Sequence, residues 1–156
     1  MNILEMIASG LVATLFLDLW QQALRLATGL PASNWALVGR WFVHAGRGKF
    51  FHDAIAKEPP EPNETAIGWI GHYIVGVAYG PIYIGLLRYG FGVEPDIANG
   101  LMFGALSVVV PWFFFMPAMG AGMLALKTPA PATARLQALA GHTVFGLGLA
   151  AGSMLV

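Results

Sequence analysis

Four apolar runs constrain this chain more than any other feature. They cover residues 3–26, 65–87, 97–126 and 134–156. Each reaches the ~20 residues that an α-helix needs to cross a bilayer. Only 10% of the residues are charged and 57% are hydrophobic, whereas a soluble domain carries about 25% charge. So few charges cannot cover a water-facing surface, which makes lipid the natural solvent. The expected fold is an all-α integral membrane protein of four transmembrane helices, forming one membrane domain over residues 1–156. The first run lacks a basic start, carries Glu5 and has no small-x-small cleavage site. It reads as a retained span rather than a signal peptide.

The formal net charge is zero and there is no basic block, so nucleic-acid binding has no electrostatic support. With no cysteine, thiolate catalysis, zinc–thiolate sites and iron–sulfur clusters are excluded. Four spans place the 27–64 loop and the short loop before residue 134 on one side. That side holds Arg25, Arg40, Arg47, Lys49, Lys57, Lys127 and Arg135, and the other holds only Arg88. Cationic loops stay in the cytoplasm. The expectation is therefore an inner membrane, a cytoplasmic 27–64 loop and both termini outside.

Local signals mark the helix ends. Asp96, Thr133 and Asn63 suit N-caps of spans three, four and two. Pro111 and Pro117 should kink span three. In the loop, "SNWALVGRWFVHAG" predicts a short interfacial helix capped by Ser33, with Trp35, Trp41 and Phe42 at its apolar positions. A second short helix is expected over residues 49–56, followed by a stiff, proline-rich "KEPPEPNE" linker.

Spans two and four repeat at an offset of 70. Gly68, His72, Gly76 and Gly80 align with Ala138, His142, Gly146 and Ala150. Steps of four keep each set near one helix face, and small residues there let helices approach closely in lipid. "IASGL" at Ile7 and "IANGL" at Ile97 echo one another across spans one and three. Two helical hairpins of common origin, related in parallel, follow from this pattern.

At 1.5 Å per residue, Asp18, His72 and His142 all lie roughly 10–12 Å inside the cytoplasmic ends of their spans. Ionisable groups in hydrocarbon are costly and face a bundle interior or a wet cavity. One inward-facing polar layer is therefore expected. His44, His52, Asp53 and Glu64 are candidate contributors at its cytoplasmic mouth.

The layer admits several uses. Asp18 and the histidines can form a hydrogen-bond clasp that fixes packing. They can bind or relay a proton or cation. Two histidines at equal depth suit bis-imidazole haem b. Met116, Met119 and Met123, spaced i, i+3 and i+7, suit Cu(I) together with His72 and His142, although methionine is also a common packing filler. No catalytic motif is present and Ser107 has no evident base partner, so no catalytic residue is named. The partner named by the sequence is the lipid bilayer; a second copy or another membrane protein is compatible with it.

"LDLWQQ" at Leu17, "NWALVGRW" at Asn34, "GKFFH" at Gly48 and "IGWIGHY" at Ile67 resemble a family of small bacterial inner-membrane proteins classed as a domain of unknown function. The resemblance covers nearly the whole chain and implies a bacterial multi-pass membrane protein. It carries over no activity. Its motif residues here are Asp18, Asn34, Arg40, His44, His52 and His72; His142 lies outside them.

Overall fold

The computed structural model describes residues 2–155. Among them the secondary structure is entirely helical. The principal helices are α1 (Ile3–Thr28), α2 (Trp35–Gly46), α3 (Glu64–Phe91), α4 (Ile97–Ala118) and α5 (Pro131–Ser153). Three of these, α1, α3 and α4, are long and apolar enough to cross a membrane. The fourth expected span is helical in α5 and 23 residues long. Arg135, Gln137, His142, Thr143 and several glycines dilute its hydropathy, and it is not among the three. Val156, the last residue of the expected fourth span, lies outside the described residues.

The helix ends follow from local chemistry. Asn2 caps α1 by accepting the Leu4 N–H, and Gly29 closes it in the left-handed region (φ 73°). Asp96 caps α4 by accepting the Asn99 N–H at 2.7 Å, as expected. Asn63 sits just before α3 with a positive φ of 58°, and its carbonyl accepts from Ile67. Two expected caps are corrected. Asn34, not Ser33, caps α2, accepting the N–H groups of Ala36 and Leu37. Thr133 lies inside α5, which starts at Pro131, where a proline's fixed φ and missing N–H suit the first helical turn.

Expected span three is also shortened. Beyond Ser107 the helix widens to π geometry over Pro111–Phe115 and ends at Ala118, not at residue 126. Gly120 and Gly122 then take positive φ values of 90° and 76°, which turn the chain away from the helix axis. The expected helix at 49–56 reduces to one 3-10 turn, Ile55–Lys57.

The chain packs into two compact units. The first comprises residues 2–32, His72–Ser107 and 140–155. In it α1 meets the later part of α3 through Gly10, Gly76 and Gly80, and α4 meets α5 through Gly100, Gly104 and Gly146. A Cβ on Gly10 would sit 2.5 Å from the Val77 Cα, and one on Gly146 would sit 2.7 Å from the Gly104 Cα. The repeat-related glycines thus occupy matching contact points in both helix pairs. Ala13, Tyr83, Ile84, Leu87, Phe145 and Leu149 form the buried core. Ser9 donates to the Leu149 carbonyl at 2.8 Å, joining α1 to α5. Arg88 clamps the buried Glu5 with two 2.8 Å bonds.

The second unit comprises Ser33–Gly71 and Val108–Leu139. Here α2 lies on the first turns of α3, where Gly39 and Gly68 leave no room for a Cβ against Glu64 and Trp35. Trp35 packs on Trp69 with ring centroids 5.2 Å apart. Trp41, expected at the membrane surface with Trp35, is instead buried with Ile55 and Ala118, and its indole N–H donates to the Phe50 carbonyl at 2.8 Å. Burial is open to this indole because its one polar group, the N–H, is satisfied inside the unit.

Candidate functional site: a carboxylate–imidazole–phenol cluster

Asp18 lies in the C-terminal half of α1, within an apolar run. Its two carboxylate oxygens are divided between two neighbours on α3. The His72 Nε2 lies 2.9 Å from Oδ1, and the Tyr73 hydroxyl donates to Oδ2 at 2.9 Å. The His72 side chain is 8% exposed and that of Asp18 is 20%. A carboxylate only accepts hydrogen bonds, so the imidazole presents N–H at Nε2. The glycines at 76 and 80 bring α3 close enough to α1 for these short bonds to form.

His142 makes a different contact. Its Nδ1 lies 2.8 Å from the Ser107 Oγ. Ser107 in turn donates to the Gly104 carbonyl at 2.7 Å. A hydroxyl has one proton, so with that proton given to Gly104 it accepts from His142 Nδ1–H. Ser107 therefore does have an imidazole partner, which the sequence did not reveal. The proton direction is opposite to that of a serine nucleophile activated by histidine. Of the three residues expected in one layer, Asp18 and His72 meet directly, and His142 bonds to Ser107.

The loop candidates fall in the second unit. His44 and His52 are buried and joined ring to ring, His44 Nδ1 to His52 Nε2, at 2.8 Å. His44 Nε2 faces the Glu61 carboxylate at 3.2 Å. Glu64 belongs to a separate pairing. The Arg40 guanidinium reaches both its oxygens, at 2.8 and 2.9 Å, and also the carbonyls of Ile55 and Glu58. The hydrogen bond to Glu64 holds Arg40 above the usual guanidinium range, against the opposing effect of burial. Asp53 lines an open cavity of about 510 Å³ with His52, Lys49, Lys57 and Glu58. Tyr73, Glu61 and the anchoring role of Arg40 were not singled out from the sequence. Two of them had a signal: Arg40 in the "NWALVGRW" motif and Tyr73 as the last residue of "IGWIGHY".

The residues named for a metal or haem are dispersed differently. Haem ligation through His72 Nε2 requires that atom to leave Asp18. Met119 packs against the Trp41–Ile55–Ala118 core. Met123 is exposed in the turn beyond α4, so the i, i+3, i+7 methionine face is not continued on one helix. Among the described residues no three His, Asp or Glu side chains are grouped to hold a metal ion.

Fold and site together define an all-helical protein with membrane-length apolar helices and a carboxylate–imidazole–phenol cluster between two of them. The chain belongs to the DUF2938 family, described as proteins of unknown function, which it matches over residues 7–156. No curated protein and no solved structure matches it.

Proposed function

We propose that the chain is a bacterial inner-membrane protein whose Asp18–His72 pair binds and relays a proton. The observation that carries this reading is an Asp carboxylate inside a membrane-length apolar helix, bonded to an imidazole. Carboxylate and imidazole exchange protons readily, and their burial in a span is costly without a use. Four spans complete the reading. α5 has the length, and its glycines at 146, 148 and 152 seat it on α4 and α1. The matched glycine contacts of the two helix pairs support a common origin. The distribution of Lys and Arg favours a cytoplasmic 27–64 loop and both termini outside.

The test is proton flux into proteoliposomes loaded with a pH-sensitive dye, driven by an imposed potential. Wild-type protein should acidify the lumen faster than protein-free vesicles. Asp18→Asn should return the rate to the vesicle baseline while helicity is retained. Equal rates with and without wild-type protein would refute the relay.

One observation favours a second reading. Tyr73 closes the other oxygen of Asp18, so the cluster is also a complete polar clasp between α1 and α3. His72→Gln keeps a donor. Under the clasp reading it preserves stability and leaves nothing else to lose; under the relay it abolishes flux in a folded protein.

A further inference from the structure

His44 and His52 pose a proton-counting problem that is independent of Asp18. His44 stands in the last turn of α2, and His52 follows in the loop. His52 is held by two bonds to the end of α4. Its backbone N–H donates to the Ala118 carbonyl at 2.9 Å, and its ring Nδ1 lies 3.2 Å from the same oxygen. The two rings thus form a row of contacts: Glu61 carboxylate, His44 Nε2, His44 Nδ1, His52 Nε2, His52 Nδ1, Ala118 carbonyl.

Both ends of this row are oxygens that only accept. Each end therefore needs an N–H on the facing ring nitrogen. The 2.8 Å contact between the rings needs one proton as well. Three protons satisfy the row. Two neutral imidazoles carry only two, and one of the three contacts would then set lone pair against lone pair in a buried site. A third proton gives the pair a single positive charge, shared through the central bond.

The surroundings suit that charge. Glu61 faces His44 directly and is also held by Arg47. Glu58, paired with Lys49, and Asp53, next to His52 in sequence, lie on the loop side. Lys57 shares the cavity rim with them. Arg40, one turn earlier on α2, is committed to Glu64 at the start of α3 and to two carbonyls. The end of α4, "PWFFFMPAM", brings the Ala118 carbonyl and no charged side chain. The open cavity reaches His52 and gives water a route to the pair.

We propose that His44 and His52 are a proton-binding site that holds one excess proton between Glu61 and the end of α4, and that this proton fastens the loop to that end. When the proton leaves, the shorter 2.8 Å ring contact keeps its proton and one of the two 3.2 Å end contacts is lost. The bond to a carboxylate is the stronger, so the loss falls at Ala118. The Asp18 pair plays no part in this site, and failure of either proposal leaves the other standing.

The experiment is ring-nitrogen NMR on the full chain in bicelles, labelled with ¹⁵N-histidine and titrated over the pH range in which the fold is intact. His44→Gln and His52→Gln single variants assign the signals; the result itself comes from the wild type. The expected result is a state with three protonated nitrogens among the four of the pair, with scalar coupling across the His44–His52 bond. Its third proton should leave in one step shared by both rings, with a change at the Ala118 carbonyl carbon. Glu61→Gln, which removes the facing charge, should lower the occupancy of the three-proton state at a given pH. Two rings that each carry one N–H at every pH, or that titrate independently with no coupling between them, would overturn the proposal.

Discussion

Replacing Gly146 by alanine tests the helix packing that brings the polar pairs together. The added Cβ lies 2.7 Å from the Gly104 Cα and closer still to the Gly100 carbonyl oxygen. Ordinary contact begins at 3.4 Å, so α4 and α5 must separate by about 0.7 Å to clear the Gly104 Cα and by more to clear the Gly100 carbonyl oxygen. The obstacle is backbone on both counts, and no side-chain rotation relieves it. Overpacking of this kind costs about 1–3 kcal/mol. Gly85→Ala is the control. Gly85 has helical backbone angles and nothing within 4 Å of an added Cβ, so the substitution should be neutral or stabilising by up to about 1 kcal/mol. Reversible unfolding in mixed micelles, followed by circular dichroism, measures both. Equal stability of the two variants would refute the close α4–α5 contact.

Further outcomes are expected elsewhere. Arg88→Met leaves the buried Glu5 carboxylate without its two bonds and should destabilise the protein by about 2–3 kcal/mol in the same unfolding assay. The Arg47 guanidinium holds the Glu61 carboxyl below its ordinary value, as Lys49 does for Glu58. Such a depressed carboxylate stabilises the fold above its unfolded pKa of about 4.3, and that stability fades as pH falls through the lower folded value. Acidification should therefore loosen the loop, read by Trp41 fluorescence because the indole bonds to Phe50, and Glu61→Gln should blunt the effect. The natural chain has no cysteine, so single introduced cysteines report topology cleanly. Lys49→Cys should react only from the cytoplasmic side and Met154→Cys only from the outer side.

The sequence disclosed the chemistry that depends on depth and missed the chemistry that depends on rotation. Asp18 and His72 were legible because ionisable residues in apolar helices turn inward, and the depth expected for each from its place in the sequence put them within reach. His142 was expected at a matching depth, yet its ring turns to Ser107 on α4, a choice that only the helix rotation decides. Tyr73 was hidden by its position next to His72, since adjacent helical residues point in different directions. Its length lets it reach the second oxygen of the carboxylate. The loop was least legible. Its fold rests on contacts distant in sequence, such as His52 to Ala118 and Arg40 to the carbonyls of Ile55 and Glu58. No periodicity encodes these. The shortening of α4 had a signal in Gly120 and Gly122, which the hydropathy of residues 119–126 concealed.

A proton relay requires the Asp18–His72 pair to gain and lose a proton within the membrane. Infrared difference spectroscopy of the full chain in lipid bilayers, titrated with pH, measures this directly. A protonated-carboxyl band should come and go with pH, be absent in Asp18→Asn, and change together with the ring modes of His72 and the phenol mode of Tyr73. A carboxyl at Asp18 that keeps one protonation state throughout the pH range of the intact fold would contradict the relay.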